Sequence, residues 1–190
     1  MPLSPPVSRS LRHTRAITVD AYARDDGLWD LDASIRDVKT RDIPLPSGMR
    51  PAGAPVHDLK LRVTIDHNLT IVDAEAASDA VPYPGFCDTI APAYKKLVGL
   101  SLMNHFRLHL KDRLTGVLGC THLTELAQVL PTAALQAFAD DVFDDRGSAD
   151  ANDTRSAERP FELDRCHALR SDGPAVATYY PRWSIKAVSG

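Results

Sequence analysis

The chain has 190 residues, of which 44% are hydrophobic and 25% charged, and its net charge is −3. Those values describe an ordinary globular protein with enough chain to bury a core. They give no basis for a general hold on nucleic acid or on acidic membranes, and no apolar run approaches the roughly 18 residues of a membrane-spanning helix.

The segment from Met1 to Arg15 carries prolines and arginines but no apolar stretch of the secretory kind, and residues 1–13 read as a tail. From Ile17 to Ala23, apolar Ile17, Val19, Ala21 and Ala23 alternate with Thr18, Asp20 and Tyr22. Asp26-Gly27 supplies a turn, after which Trp29, Leu31, Ala33 and Ile35 continue at period two. Residues 43–56 hold Pro44, Pro46, Gly48, Pro51, Gly53 and Pro55, and so read as a loop. Leu59, Leu61, Val63 and Ile65 alternate again, and a turn at His67-Asn68 leads into a strand from Thr70 to Ala76. The simplest arrangement is a four-stranded antiparallel meander with one covered face.

The second half changes period. After Pro82, Pro84 and Gly85, a helix is expected from Asp88 to Val98, stopped by Gly99. Ser101 caps a second helix with a stripe of Met103, Phe106, Leu110 and Leu114, broken by Gly116 and Gly119. A third starts near Thr121, carries Leu123, Leu126, Leu130, Leu135 and Phe138, and is expected to kink at Pro131. Residues 144–159 are small and polar, which reads as a flexible linker between a domain over 1–143 and a segment over 160–190. That segment reads as a hairpin of Phe161–Leu169 and Val176–Tyr180, turning at Asp172-Gly173 and packing on the domain. The fold class is α+β, with about three helices on one face of the meander.

Cys87 and Cys120 each end a glycine-containing loop just before an expected helix. The N–H groups and dipole of a helix N-terminus favour thiolate, the form that binds metal or attacks an electrophile. A small buried filler is the other reading of such a cysteine. His57 keeps phase with Leu59, Leu61, Val63 and Ile65, so it points to the covered face and needs a polar partner or a metal. His122 adds an imidazole two positions after Cys120. Thiolate and imidazole together suit zinc or iron. Asp58 and Glu125 are candidate supporting or acid–base groups, or simply solvated. Cys166-His167 is a further cysteine–histidine pair, one of which closes a site or packs within the C-terminal hairpin. His13, His67, His105 and His109 receive no role. No Walker loop, GxGxxG, GxSxG or HExxH is present.

The run from Gly53 to Leu61, the hairpin with Ile71 to Ala74, Phe86-Cys87-Asp88-Thr89 and Gly119-Cys120-Thr121-His122-Leu123 carry a resemblance. Over residues 53–140 the chain resembles the iron–sulfur cluster scaffold family of the NifU N-terminal type. That resemblance implies a strand-borne ligand and two cysteine turns that open helices. It also implies a protein that donates or accepts the cluster. The chain departs from that family at its first ligand cysteine, where Pro55, Val56 and His57 stand. Through Arg24 to Asp30, Gly119 to Leu123 and Asp164 to Leu169, the whole chain resembles an uncharacterised bacterial family of unknown function, which implies a cytoplasmic protein.

The expectation is a metal-binding protein holding iron, zinc or an iron–sulfur centre through His57, Cys87 and Cys120, with His122 or Cys166 as fourth ligand. A thiol enzyme is the alternative, with Cys87 or Cys120 attacking a small electrophile or thioester and His57 or His122 as base. A non-catalytic partner protein, using Tyr179, Tyr180 and Trp183 as its contact surface, is the third.

Overall fold

Period-two alternation lays down the long strands in the computed structural model, which describes residues 3–139, 141–142, 159–160 and 162–185. Strand β1 (His13–Ala23) pairs antiparallel with β2 (Trp29–Lys39). A small ribbon follows, β3 (Ile43–Leu45) and β4 (Gly48–Arg50), inside the stretch expected to be loop. Gly48 makes it feasible by adopting φ 123°, which an L side chain rarely tolerates. Strands β5 (Pro55–Ile65) and β6 (Ile71–Ala80) then complete a four-stranded sheet in the order β1-β2-β5-β6. The meander and its covered face are as the alternation requires.

Register matters more than order here. Leu31, Ala33 and Ile35 of β2 stand opposite Val63, Leu61 and Leu59 of β5. All of these residues are buried. Each fully covered leucine, isoleucine or valine of this kind contributes about 1.5–3 kcal/mol. The other face is polar: the Arg62 guanidinium grips both oxygens of Asp32 at 2.6 Å, and Thr64 donates to Asp30 at 2.7 Å.

The covering elements are helical. Asp88–Leu97 forms a 3-10 helix rather than an α-helix. Pro92 lies inside it, and a proline has no N–H to give an α-helical ladder. Helix α1 spans Phe106–Leu114 and buries Phe106, Leu110 and Leu114. It begins later than the capping serine suggested, because residues 99–102 are drawn into pairing beside β6. The Gly99 N–H donates to the Ile71 carbonyl at 2.8 Å, and Leu102 donates to Leu69 at 2.8 Å. Met103 therefore lies ahead of the helix. Helix α2 runs from Thr121 to Phe138 with Pro131 inside it. Its Leu123, Leu126, Ala127 and Leu130 are fully buried.

The chain divides into two units, Met1–Ala137 and Phe138–Gly190. Apart from Arg159, the expected linker over 144–159 lies outside the described residues, as does Phe161. The second unit contains a small C-terminal element, but its described residues are turns and a short helix, α3 (Pro174–Tyr179), in place of the expected hairpin. Pro174 stands in the first turn, directly after Gly173, where its fixed φ and missing N–H suit helix initiation. Among the described residues no helix is long and apolar enough to cross a membrane.

Gly119 sets the approach to α2. A Cβ there would meet the Leu114 carbonyl oxygen at 2.4 Å, a backbone atom held by α1. Gly119→Ala is expected to cost about 1–3 kcal/mol, the usual range for overpacking. Urea unfolding of the variant against wild type checks it, and equal midpoints contradict the crowding.

Candidate metal centre

The covered faces of three strands end in polar groups that share one row. Arg15 of β1 is the register partner of Asp37 on β2, and Asp37 is in turn the partner of His57 on β5. Asp37 continues the phase of Leu31, Ala33 and Ile35, so its carboxylate is carried to the covered side, where it is 3% exposed. A charge so placed requires compensation on the spot. Arg15 supplies it as a fork: Nε donates to Oδ1 at 2.9 Å and Nη2 donates to Oδ2 at 2.8 Å. His13 Nε2 lies 2.8 Å from Oδ1, and His57 Nδ1 lies 3.0 Å from Oδ2.

Helix α2 closes the row from above. His122, in its first turn, stacks on His57 with ring centroids 3.8 Å apart and planes inclined by 32°. His122 Nε2 is 3.9 Å from Asp37 Oδ2. One turn further along, Glu125 accepts from Arg15 Nη1 at 2.6 Å. Asp37, His57 and His122 each offer one ligand atom to a group whose members lie within 4.8 Å of one another.

Cys120 precedes α2 and is half-buried. The Tyr94 hydroxyl fastens the turn, accepting the Cys120 N–H at 3.0 Å and donating to the Cys120 carbonyl at 2.8 Å. The Cys120 Sγ lies 3.9 Å from His122 Nδ1. Thiol, imidazole and carboxylate therefore follow one another through His122.

The electrostatics follow from these partners. Burial pushes the Asp37 carboxyl up, but bonds from Arg15 and His13 and the Arg15 charge outweigh it and hold the group well below the usual carboxylate range. Burial lowers the His57 pKa and prevails over the attraction of Asp37, so the neutral imidazole is favoured. Burial raises the Cys120 thiol, yet the His122 ring and the backbone N–H groups of Leu123 and His122 bring it below its ordinary value.

His57 and His122 meet at Asp37, and Cys120 stands beside His122. Cys87 lies half-buried before the 3-10 helix, its N–H bonded to the Tyr83 carbonyl at 3.0 Å, and is not a member of the convergent group. Cys166 is exposed in a turn of the second unit. Asp58 pairs with Arg36 at 3.5 Å.

The family model described as a protein of unknown function (DUF2889) matches residues 13–136, more than half of the chain. The chain belongs to the DUF2889 family. No curated protein and no solved structure matches it. The DUF2889 match opens on His13, the outermost group on Asp37, and reaches past Glu125 on α2.

Asp37, Arg15 and His13 were not singled out by the sequence. The signal was present in the alternation, because Asp37 is the next step after Ile35 and Arg15 the step before Ile17. His13 is the first residue of β1 rather than part of a tail.

The lowered pKa values of His57 and Asp37 act with the same sign. The unfolded chain takes up protons on His57 and Asp37 more readily than the folded one. Stability is therefore lost as pH falls, first below the ordinary histidine value and then below the ordinary carboxylate value. With chelator present, the melting temperature of this DUF2889 protein is expected to fall between about pH 7.5 and about pH 5. His57→Gln should make that fall shallower. A variant whose melting temperature drops as steeply as wild type contradicts the assignment.

Proposed function

We propose that this DUF2889 protein binds a single iron or zinc ion through Asp37, His57 and His122. The observation that carries the reading is the convergence of their ligand atoms within 4.8 Å of one another at one end of the sheet. Two imidazoles and a carboxylate on one side of an ion leave other positions open, a donor set that suits iron(II) or zinc. The lowered pKa of His57 favours the neutral form that a metal requires. Cys120 is not among those ligand atoms; its Sγ, 3.9 Å from His122 Nδ1, stands at the other ring nitrogen and would orient that imidazole.

The donor chemistry favours a mononuclear ion over an iron–sulfur cluster, which is held mainly by thiolates. What the reading keeps of the scaffold resemblance is metal handling, with a donor or acceptor protein as the partner. Protein purified without oxygen is expected to carry about one ion per chain by elemental analysis. His57→Ala and His122→Ala should each weaken binding by more than about tenfold, while Cys87→Ser leaves it unchanged. Wild-type protein that neither retains iron or zinc nor takes up either would falsify the proposal.

One observation favours a second reading, a thiol enzyme. Cys120 Sγ, the His122 ring and Asp37 Oδ2 are joined by two separations of 3.9 Å, the order in which a nucleophile, its base and an orienting carboxylate work. On that reading, metal-free native protein should be alkylated at Cys120 well before Cys87 or Cys166. Equal, slow labelling of all of them removes it.

A further inference from the structure

We infer that Arg15 competes with the metal for Asp37, and that Glu125 is the alternative seat of its guanidinium. The inference rests on the metal reading above and concerns how tightly that site holds its ion.

The Asp37 oxygens are heavily committed. Oδ1 meets Arg15 Nε at 2.9 Å and His13 Nε2 at 2.8 Å, while Oδ2 meets Arg15 Nη2 at 2.8 Å and His57 Nδ1 at 3.0 Å. Oδ2 is also the oxygen nearest His122 Nε2, at 3.9 Å, so an ion shared with both histidines would sit against the oxygen that Arg15 already holds. A carboxylate offers about four lone-pair sites, and these four contacts take them up. The metal therefore has to weaken the fork before it gains its third ligand.

The same guanidinium has somewhere to go. Its Nη1 is bonded to Glu125 Oε2 at 2.6 Å, and the Glu125 side chain is 39% exposed. Glu125 follows His122 by one turn of α2, so the alternative seat is on the helix that brings the histidine. Moving toward Glu125 leaves the arginine with an ion pair and frees the Asp37 lone pairs. A structural zinc site is closed by its ligands and has no built-in rival cation. A site with one releases its ion more readily, which suits a metal that is passed on.

Competition and positioning predict opposite signs. If Arg15 only positioned Asp37, its removal would weaken metal binding. If it competes, its removal strengthens binding. Calorimetric titration of the full chain with Zn²⁺ alone is the test. Arg15→Gln is expected to bind about tenfold more tightly than wild type, the equivalent of losing a charged hydrogen-bond pair at the carboxylate. Arg15→Lys keeps the charge but lacks the fork, and should also bind more tightly than wild type. An unchanged Arg15→Lys affinity would mean a long-range charge effect and overturns the inference. Glu125→Gln removes the alternative seat and is expected to bind about threefold more weakly. Should Arg15→Gln fail to fold, Glu125→Gln and Arg15→Lys decide the matter. Equal or weaker binding by the arginine variants, in the presence of wild-type binding, overturns the competition alone. Absence of zinc binding from every protein overturns the inference, and the metal reading falls with it when iron is not taken up either.

Discussion

A carboxylate 3% exposed at the edge of an apolar row must be neutralised where it stands, and Asp37 is that group. Three strands and one helix contribute to the solution. Register places Arg15 and His57 on either side of Asp37, so the sheet itself builds the row. Shifting either strand by one residue would send the partner to the polar face and leave the carboxylate alone. The apolar ladder of Leu31, Ala33 and Ile35 against Val63, Leu61 and Leu59 fixes that register. Core packing and site assembly are in this sense one constraint.

The helix contribution depends on a second fastening. Gly119 lets the chain pass close to the Leu114 carbonyl, and the Tyr94 hydroxyl holds both the N–H and the carbonyl of Cys120. With that turn fixed, the first turn of α2 sets His122 over His57 and Glu125 within reach of Arg15. Buried Tyr94 thus acts at a distance from the ligand atoms, by deciding where the helix begins. The outcome is a group with neutral imidazole, carboxylate and thiol chemistry at one location, which is why metal binding and thiol chemistry compete as readings.

The strands were legible because half-buried strands advertise themselves by alternation, and Leu59 to Ile65 does so without interruption. His57 was legible for the same reason. Asp37 was harder, since an acidic residue at the end of an apolar alternation looks like the end of the strand. Its partners confirm its phase, and they lie 22 and 20 positions away. The expected meeting of Cys87 with the histidines rested on an analogy between two loop–helix junctions. Those junctions differ physically: one opens a 3-10 helix and the other an 18-residue α-helix. The late start of α1 was hidden in the sequence because residues 99–102 follow hydrogen bonds to the segment entering β6 and not their own capping chemistry. The C-terminal pattern failed for a local reason, since Pro174 after Gly173 starts a helix where alternation suggested a strand.

The most direct test of the account is X-ray absorption spectroscopy of the zinc-loaded, full-length protein. Ligation by Asp37, His57 and His122 predicts a first shell dominated by nitrogen and oxygen at about 2.0–2.2 Å. The outer-shell signature of two imidazoles should accompany it. A shell dominated by sulfur at about 2.3 Å would contradict the account and transfer the metal to the cysteines.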